Sequence, residues 1–205
     1  PIFQKENQFS KGVGIWRTIM FPRAKGKYIA LCEGDDYWTD PLKLQKQVDA
    51  LETHPECMMV FHRILTYSQK DKHFVKAKQY NGKTGYVKNE DIILKGGLFV
   101  PTCSMLFRKK QITPLFFKSY IRQCHVGDYP LQILCAIMGK CYYLADEMAV
   151  YRIGNPSSWM GKQKRDDICR NLKGYKSELD MLEGFMQDFP NYEVTFKKRI
   201  NYYIN

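Results

Sequence analysis

Three carboxylates surround one glycine in Glu33-Gly34-Asp35-Asp36, directly after the apolar run from Tyr28 to Cys32. Oxygen donors packed this closely suit Mg²⁺ or Mn²⁺, which take one or two protein carboxylates and complete their shells with phosphate oxygens and water. A cation held there stabilises the charge that builds on a diphosphate as its bond to carbon breaks. An acidic turn that caps its own loop accounts for the same residues, so spacing alone leaves both readings open. Asp128 lies in Gly127-Asp128-Tyr129-Pro130-Leu131, at the start of an apolar helical pattern. It is either a helix cap or a general base for a substrate hydroxyl. Trp38 and Trp159 adjoin polar loops, where an indole either stacks on a sugar or base face or packs at a rim. The four histidines have no metal-ligand spacing, and Ser104 lacks the glycines of a hydrolase nucleophile turn.

Elements must deliver these groups to one place. Tyr28 to Cys32 predicts a strand buried on both faces that ends in the acids, at the sheet edge where α/β proteins collect ligands. Asp40 and Pro41 open a helix whose apolar positions are Leu44, Val48 and Leu51. Cys57 to His62 reads as the next buried strand, residues 66–85 as a lysine-rich loop, and 89–95 as a helix closed by Gly96. Residues 100–108 run from a loop into a strand, and one or two helical turns follow near 112–117. A helix spans Asp128 to Met138, and Cys141 to Ile153 supplies one or two strands. From Lys162 to Pro190 the pattern is helical, with Ile168, Leu172, Tyr175, Leu179, Leu182 and Phe185 on one face, and a last helix covers 191–204. Helix and strand alternate, which predicts an α/β fold.

With 205 residues and 44% hydrophobic content the chain can bury a substantial core. The net charge of +11 favours anionic partners, but the basic residues are dispersed, against a nucleic-acid interface. Seven cysteines without a CxxC pair read as buried reduced thiols. No apolar run reaches the length of a spanning helix, so the expectation is a soluble, cytoplasmic protein. The chain opens without Met, in the middle of what reads as a folded unit, and is expected to lack its N-terminal part.

The stretch from Ala24 to Pro41 resembles the acidic-motif region of bacterial family 2 glycosyltransferases with the GT-A fold. Leu42 to Leu51, Ser104 to Arg108, Gly127 to Leu131 and Ala149 to Arg152 resemble the family's later segments in the same order. The resemblance implies a Rossmann-like mixed sheet flanked by helices, with residues 1–160 as a core missing its first strand or strands and 161–205 as a helical extension packed on it. It implies inverting transfer of a sugar from a nucleotide diphosphate, usually a UDP-sugar, to a hydroxyl of a growing glycan or lipid-linked acceptor in polysaccharide biosynthesis. On this basis Glu33, Gly34, Asp35 and Asp36 bind the donor, Asp35 holds Mn²⁺ or Mg²⁺, and Asp128 is the general base. Trp38, Ser104, Gly127, Tyr129 and Trp159 fall on the acceptor side. Where many relatives place a histidine after the Tyr-Arg pair, this chain has Ile153-Gly154-Asn155-Pro156-Ser157-Ser158, so either the metal rests on Asp35, diphosphate and water alone or the reaction depends on it only weakly. The enzyme is expected at the inner membrane face, with possible peripheral contact through its C-terminal part. The competing expectation is a non-catalytic nucleotide-sugar or glycan-binding unit.

Overall fold

The computed structural model describes residues 14–155 and 168–204, together with Phe3, Lys5, Glu6, Gln8 and Lys11. A π-helical turn, Trp16–Met20, runs into α1 (Phe21–Arg23). Then come β1 (Tyr28–Ala30), β2 (Tyr37–Trp38), α2 (Lys43–Thr53), β3 (Cys57–Ser68), β4 (His73–Val75), β5 (Gly85–Val87) and α3 (Asn89–Lys95). The second half holds β6 (Leu106–Arg108), α4 (Lys109–Phe116), α5 (Ser119–Gln123), α6 (Asp128–Met138), β7 (Lys140–Ile153), α7 (Ile168–Asp188) and α8 (Glu193–Ile204).

Among the described residues the strands form one mixed sheet in the order β1-β6-β3-β7-β2, with β4 added to β3 and β5 to β7. The long parallel pair β3 and β7 is its spine, in register from Cys57↔Lys140 to Ser68↔Ile153 with irregularities near His62 and Arg63. Every other pairing is antiparallel. β2 lies against the end of β7 through Tyr37↔Val150 and Trp38↔Ala149, which brings the acidic segment to the C-terminal end of the spine.

The main core joins the sheet to α3, α4, α6 and the C-terminal helices through residues such as Phe61, Phe107, Leu131, Leu134, Leu182 and Phe185. Phe185 of α7 stacks on Phe196 of α8 with centroids 5.9 Å apart, and both side chains are fully buried. The C-terminal helices therefore complete the same core. The expected boundary at 160/161 lies outside the described residues.

Four expectations change. β1 is three residues long, only half-buried, and pairs with β6 alone among the described residues, because it lies at the end of the strand order; Cys32, expected inside, is exposed. The buried face of α2 is Lys43, Gln47 and Leu51, whereas Leu44 is 41% exposed. The reason is local: the polar pair satisfies itself, with Lys43 Nζ donating to Gln47 Oε1 (2.7 Å) and Gln47 Nε2 donating to the carbonyls of Val60 (3.1 Å) and Ser104 (2.8 Å). Residues 66–85 are not simply a loop, since β3 continues to Ser68 with alternating burial and turns back into β4. On α7 the buried positions shift to Met181, Leu182 and Phe185, and Leu172 and Tyr175 face solvent.

Candidate active site

The acids sit on a tight turn, closed by the Asp36 N–H donating to the Glu33 carbonyl at 3.0 Å. Arg152, at the end of β7, fastens this turn twice. Its backbone N–H donates to Asp36 Oδ1 at 2.9 Å and its Nε donates to the Asp35 carbonyl. Asp36 is thus buried, with Oδ2 lacking a hydrogen-bond partner, while the Glu33 and Asp35 carboxylates accept no hydrogen bond among the described residues.

Asp128 approaches from the other half of the chain as the first residue of α6, with Gly127 before it in the cap position. Its Oδ1 accepts the Tyr129 N–H at 2.9 Å, and Thr102 donates to Oδ2 across a long 3.4 Å. Two close packings hold it there. A Cβ on Gly127 would stand 2.8 Å from Trp16 Nε1, so glycine lets the indole lie against the helix start. On the other side Gln132, fully buried one turn later, donates to the carbonyls of Gly97 (3.1 Å) and Val100 (2.9 Å) and ties the loop before Thr102 to α6.

The charges of Glu33, Asp36, Asp128 and Asp35 all act on Tyr151, whose phenol is pushed up first by burial and then by these carboxylates. The four acids are therefore close enough to this spine residue for their charges to act on it. Burial also raises Glu33, with Asp128, Asp36 and Asp35 adding to it, so that it titrates at about 7 although it remains open to solvent. Burial raises Asp36 to about 6 against the opposing bond from Arg152, and burial raises Asp128 too. Such concentrated negative charge in a basic chain accepts protons near neutrality or a hard cation. Glu33 and Asp35 are oxygen donors of the type Mg²⁺ or Mn²⁺ take, but among the described residues no three acids, histidines or cysteines are grouped to hold a metal ion.

The structure brings together Glu33, Gly34, Asp35, Asp36 and Asp128, with Gly127 adjoining. Trp38 is 36% exposed, donates from Nε1 to the Cys103 carbonyl at 3.2 Å, and carries the Lys43 ammonium 4.2 Å from its ring. Two residues expected on the acceptor side do not reach the surface. Ser104 is fully buried in a 3₁₀ turn, its hydroxyl donating to the Pro101 carbonyl at 2.6 Å, and Tyr129 is buried with its hydroxyl donating to the Ile93 carbonyl. Trp159 lies outside the described residues. Sequence reading missed Arg152 and Tyr151 as site residues, as well as Thr102 and the buried Lys43–Gln47 pair. For that pair the i, i+4 spacing was the available signal.

Comparison with known proteins follows the same outline. The model of the family described as glycosyl transferase family 2 matches residues 2–114. An uncharacterized protein of Mycobacterium bovis is 36% identical over 132 residues, covering 63% of this chain and 35% of its own length. An uncharacterized glycosyltransferase of a Nostoc species is 27% identical over 197 residues, covering 92% of this chain and 57% of its own. The chain thus spans between about a third and about three-fifths of these curated relatives. Among solved structures, S. aureus TarS 1-349 in complex with UDP-GlcNAc superposes with a TM-score of 0.58 at 10% identity, over 82% of this chain and 45% of that one. Its complex with UDP gives 0.54 at 11% identity, over 81% and 43%.

Proposed function

The chain belongs to glycosyl transferase family 2 and has a GT-A fold, and on that premise we propose that it carries the reaction centre of an inverting glycosyltransferase that uses a nucleotide-diphosphate sugar, most naturally a UDP-sugar. The observation that carries this reading is the fastening of the acidic turn by Arg152 at the end of β7, within reach of the Asp128 charge. Asp128 is the general base: it takes the proton of an acceptor hydroxyl while that oxygen attacks the anomeric carbon and the bond to the diphosphate breaks on the opposite side. Burial raises its affinity for that proton, which suits a base working near neutral pH. Asp35 would hold Mn²⁺ or Mg²⁺, which when bound would neutralise charge on the departing diphosphate.

Glu33 complements this role. Titrating at about 7, it is partly protonated at neutral pH and then donates a hydrogen bond to a donor hydroxyl instead of repelling the diphosphate. Asp36, fixed by the Arg152 N–H, keeps the turn in place. Trp38 offers its exposed ring edge to the acceptor, a glycan or lipid-linked saccharide of polysaccharide biosynthesis. Among the described residues no helix is long and apolar enough to cross a membrane. We place the reaction at the cytoplasmic membrane face, where exposed Leu172 and Tyr175 of α7 and Val194 and Tyr202 of α8, near Lys173, Lys176 and Lys197, suit peripheral contact.

The test is to incubate the whole protein with a panel of UDP-sugars and Mn²⁺ and to follow donor hydrolysis and transfer in wild type, Asp35→Ala and Asp128→Asn. Loss of turnover in Asp128→Asn with donor binding retained, and loss of both in Asp35→Ala, is the expected result. Turnover unchanged by both substitutions removes the reading.

A further inference from the structure

We propose that the sheet carries a second saccharide site: a row formed by exposed Phe74 and Tyr37 with half-buried Tyr67 and Arg152 between them, framed by the lysines of the β3–β4 hairpin, binds an anionic saccharide chain. The row follows from the strand registers, because directly paired residues share a face. Tyr67 pairs with Phe74 on one side and with Arg152 on the other. The Tyr67 and Phe74 rings meet edge to face with centroids 5.3 Å apart, and the Arg152 guanidinium carbon lies 6.0 Å from the Tyr37 ring. Phe74 is 54% and Tyr37 45% exposed. Three strand spacings separate the ends of the row, roughly 15 Å, long enough for several sugar rings.

Alternation along β7 puts Tyr151 on the face of the reacting acids and Arg152 on the other. The row therefore runs behind the reaction centre and meets it at Arg152, which donates to Asp36 Oδ1 and the Asp35 carbonyl, and at Tyr37, which follows Asp36. It is a holding surface for a chain, separate from the place where the acceptor hydroxyl is deprotonated.

The charge around it is unspent. Lys70, Lys72, Lys76 and Lys78 are exposed and have no ion pair among the described residues. Some surface lysines elsewhere are paired, as in Lys27–Glu52, Lys46–Asp40, Lys118–Asp188 and Lys197–Glu193, but the hairpin sets four without an ion pair within nine residues. The hairpin's one acid, Asp71, is taken by the Ser68 hydroxyl at 2.6 Å. Lysines on an edge strand commonly guard it against pairing with another chain, but β4 itself reads His73-Phe74-Val75 and the lysines lie in the turn and beyond it. Lys72 also occupies a left-handed position, φ 58°, where glycine or asparagine would cost less. Aromatic faces suit the apolar faces of sugar rings, and unpaired ammonium groups suit their carboxylates or phosphates. The choice of a saccharide over another polyanion rests on the glycosyl-transfer reading.

Direct binding tests this without turnover, so failure of the site and failure of the enzymatic reading are separate results. The whole protein is titrated calorimetrically with an oligogalacturonate, with its neutral methyl ester, with single-stranded oligothymidylate and with phosphatidylglycerol vesicles. The acid saccharide should bind about tenfold tighter than its ester, and Lys70→Gln/Lys72→Gln/Lys76→Gln/Lys78→Gln should weaken it by at least about tenfold. Phe74→Ser should weaken it with an unchanged urea midpoint in the quadruple variant as the folding control, and UDP-sugar hydrolysis should stay at the wild-type rate in both. Equal binding of acid and ester, unchanged affinity in the variants, tighter binding of oligothymidylate or vesicles, or no saccharide binding overturns the proposal.

Discussion

Replacing His62 with phenylalanine tests how the interior beneath the site handles charge. His62 is fully buried on β3, with Nδ1 bonded to the Arg63 carbonyl at 2.7 Å and Nε2 without a partner. Burial above all lowers its pKa to about 4 from the usual 6.5, Lys43 lowers it further, and the Arg63 bond, Asp146 and Asp40 only partly offset this. The unfolded chain therefore binds a proton between pH 6.5 and 4 that the native chain refuses. The stabilisation is complete above pH 6.5 and is lost as pH falls towards 4, a total of about 3 kcal/mol, of which about 2.5 kcal/mol is gone at pH 4.5. Glu33 and Asp36 act in the opposite direction, since their raised values favour the native state as pH falls, so wild type alone does not isolate the effect. The difference between wild type and His62→Phe does. Urea unfolding from pH 4.5 to 7.5 should show the variant slightly less stable at pH 7.5, from the lost bond to Arg63, and relatively more stable at pH 4.5, the midpoint difference moving by about 1 M urea. A difference that stays flat across this range refutes the assignment of a neutral buried imidazole.

Four other outcomes are expected. Asp128→Asn should lower kcat/KM by about 10²–10⁴-fold while leaving donor affinity near wild type, as measured by transfer kinetics and calorimetry. Without divalent cation, donor affinity should fall as pH rises through about 7, because Glu33 ionises beside the diphosphate; Glu33→Gln should flatten that dependence. Gly127→Ala forces the Trp16 indole away from the start of α6 and should cost about 1–3 kcal/mol in urea unfolding, with reduced turnover from a displaced Asp128. Lys43, 1% exposed, is lowered to about 8 chiefly by burial, so its own contribution to stability should rise by about 3 kcal/mol between pH 8 and 10.5, read as the difference from Lys43→Met because buried thiols such as Cys103 and Cys135 act the other way. Thermal unfolding of Lys43→Met should lack that rise.

What was legible in the sequence was whatever local pattern records. The acidic turn, α6 with its glycine stop and the strand from Cys57 each follow from apolar periodicity and turn chemistry, whereas periodicity made Asp128 only a helix start and its role as base came from the family resemblance. The misreadings share a cause, which is that burial is decided by distant partners. Lys43 and Gln47 look like a solvated helix face until the Val60 and Ser104 carbonyls are seen above them. Ser104 falls where a loop was expected to enter a strand on the acceptor side, yet its hydroxyl is consumed by Pro101. Tyr28 to Cys32 looks buried on both faces by composition, but a strand's burial depends on its place in the sheet order, and β1 stands at one end. Arg152 escaped notice because its role lies in one backbone N–H and one bond to a carbonyl more than a hundred residues back.

The parallel spine also sets when the molecule can begin to work. β3 must wait for a partner strand roughly eighty residues later, and contacts so far apart along the chain form slowly because the loop between them must close first. Arg152 lies at the very end of that partner, so the acidic turn stays unfastened until nearly all of the spine has left the ribosome. A nascent chain stalled before residue 152 would display three loose carboxylates, and the turn would be fastened only once the end of β7 emerges.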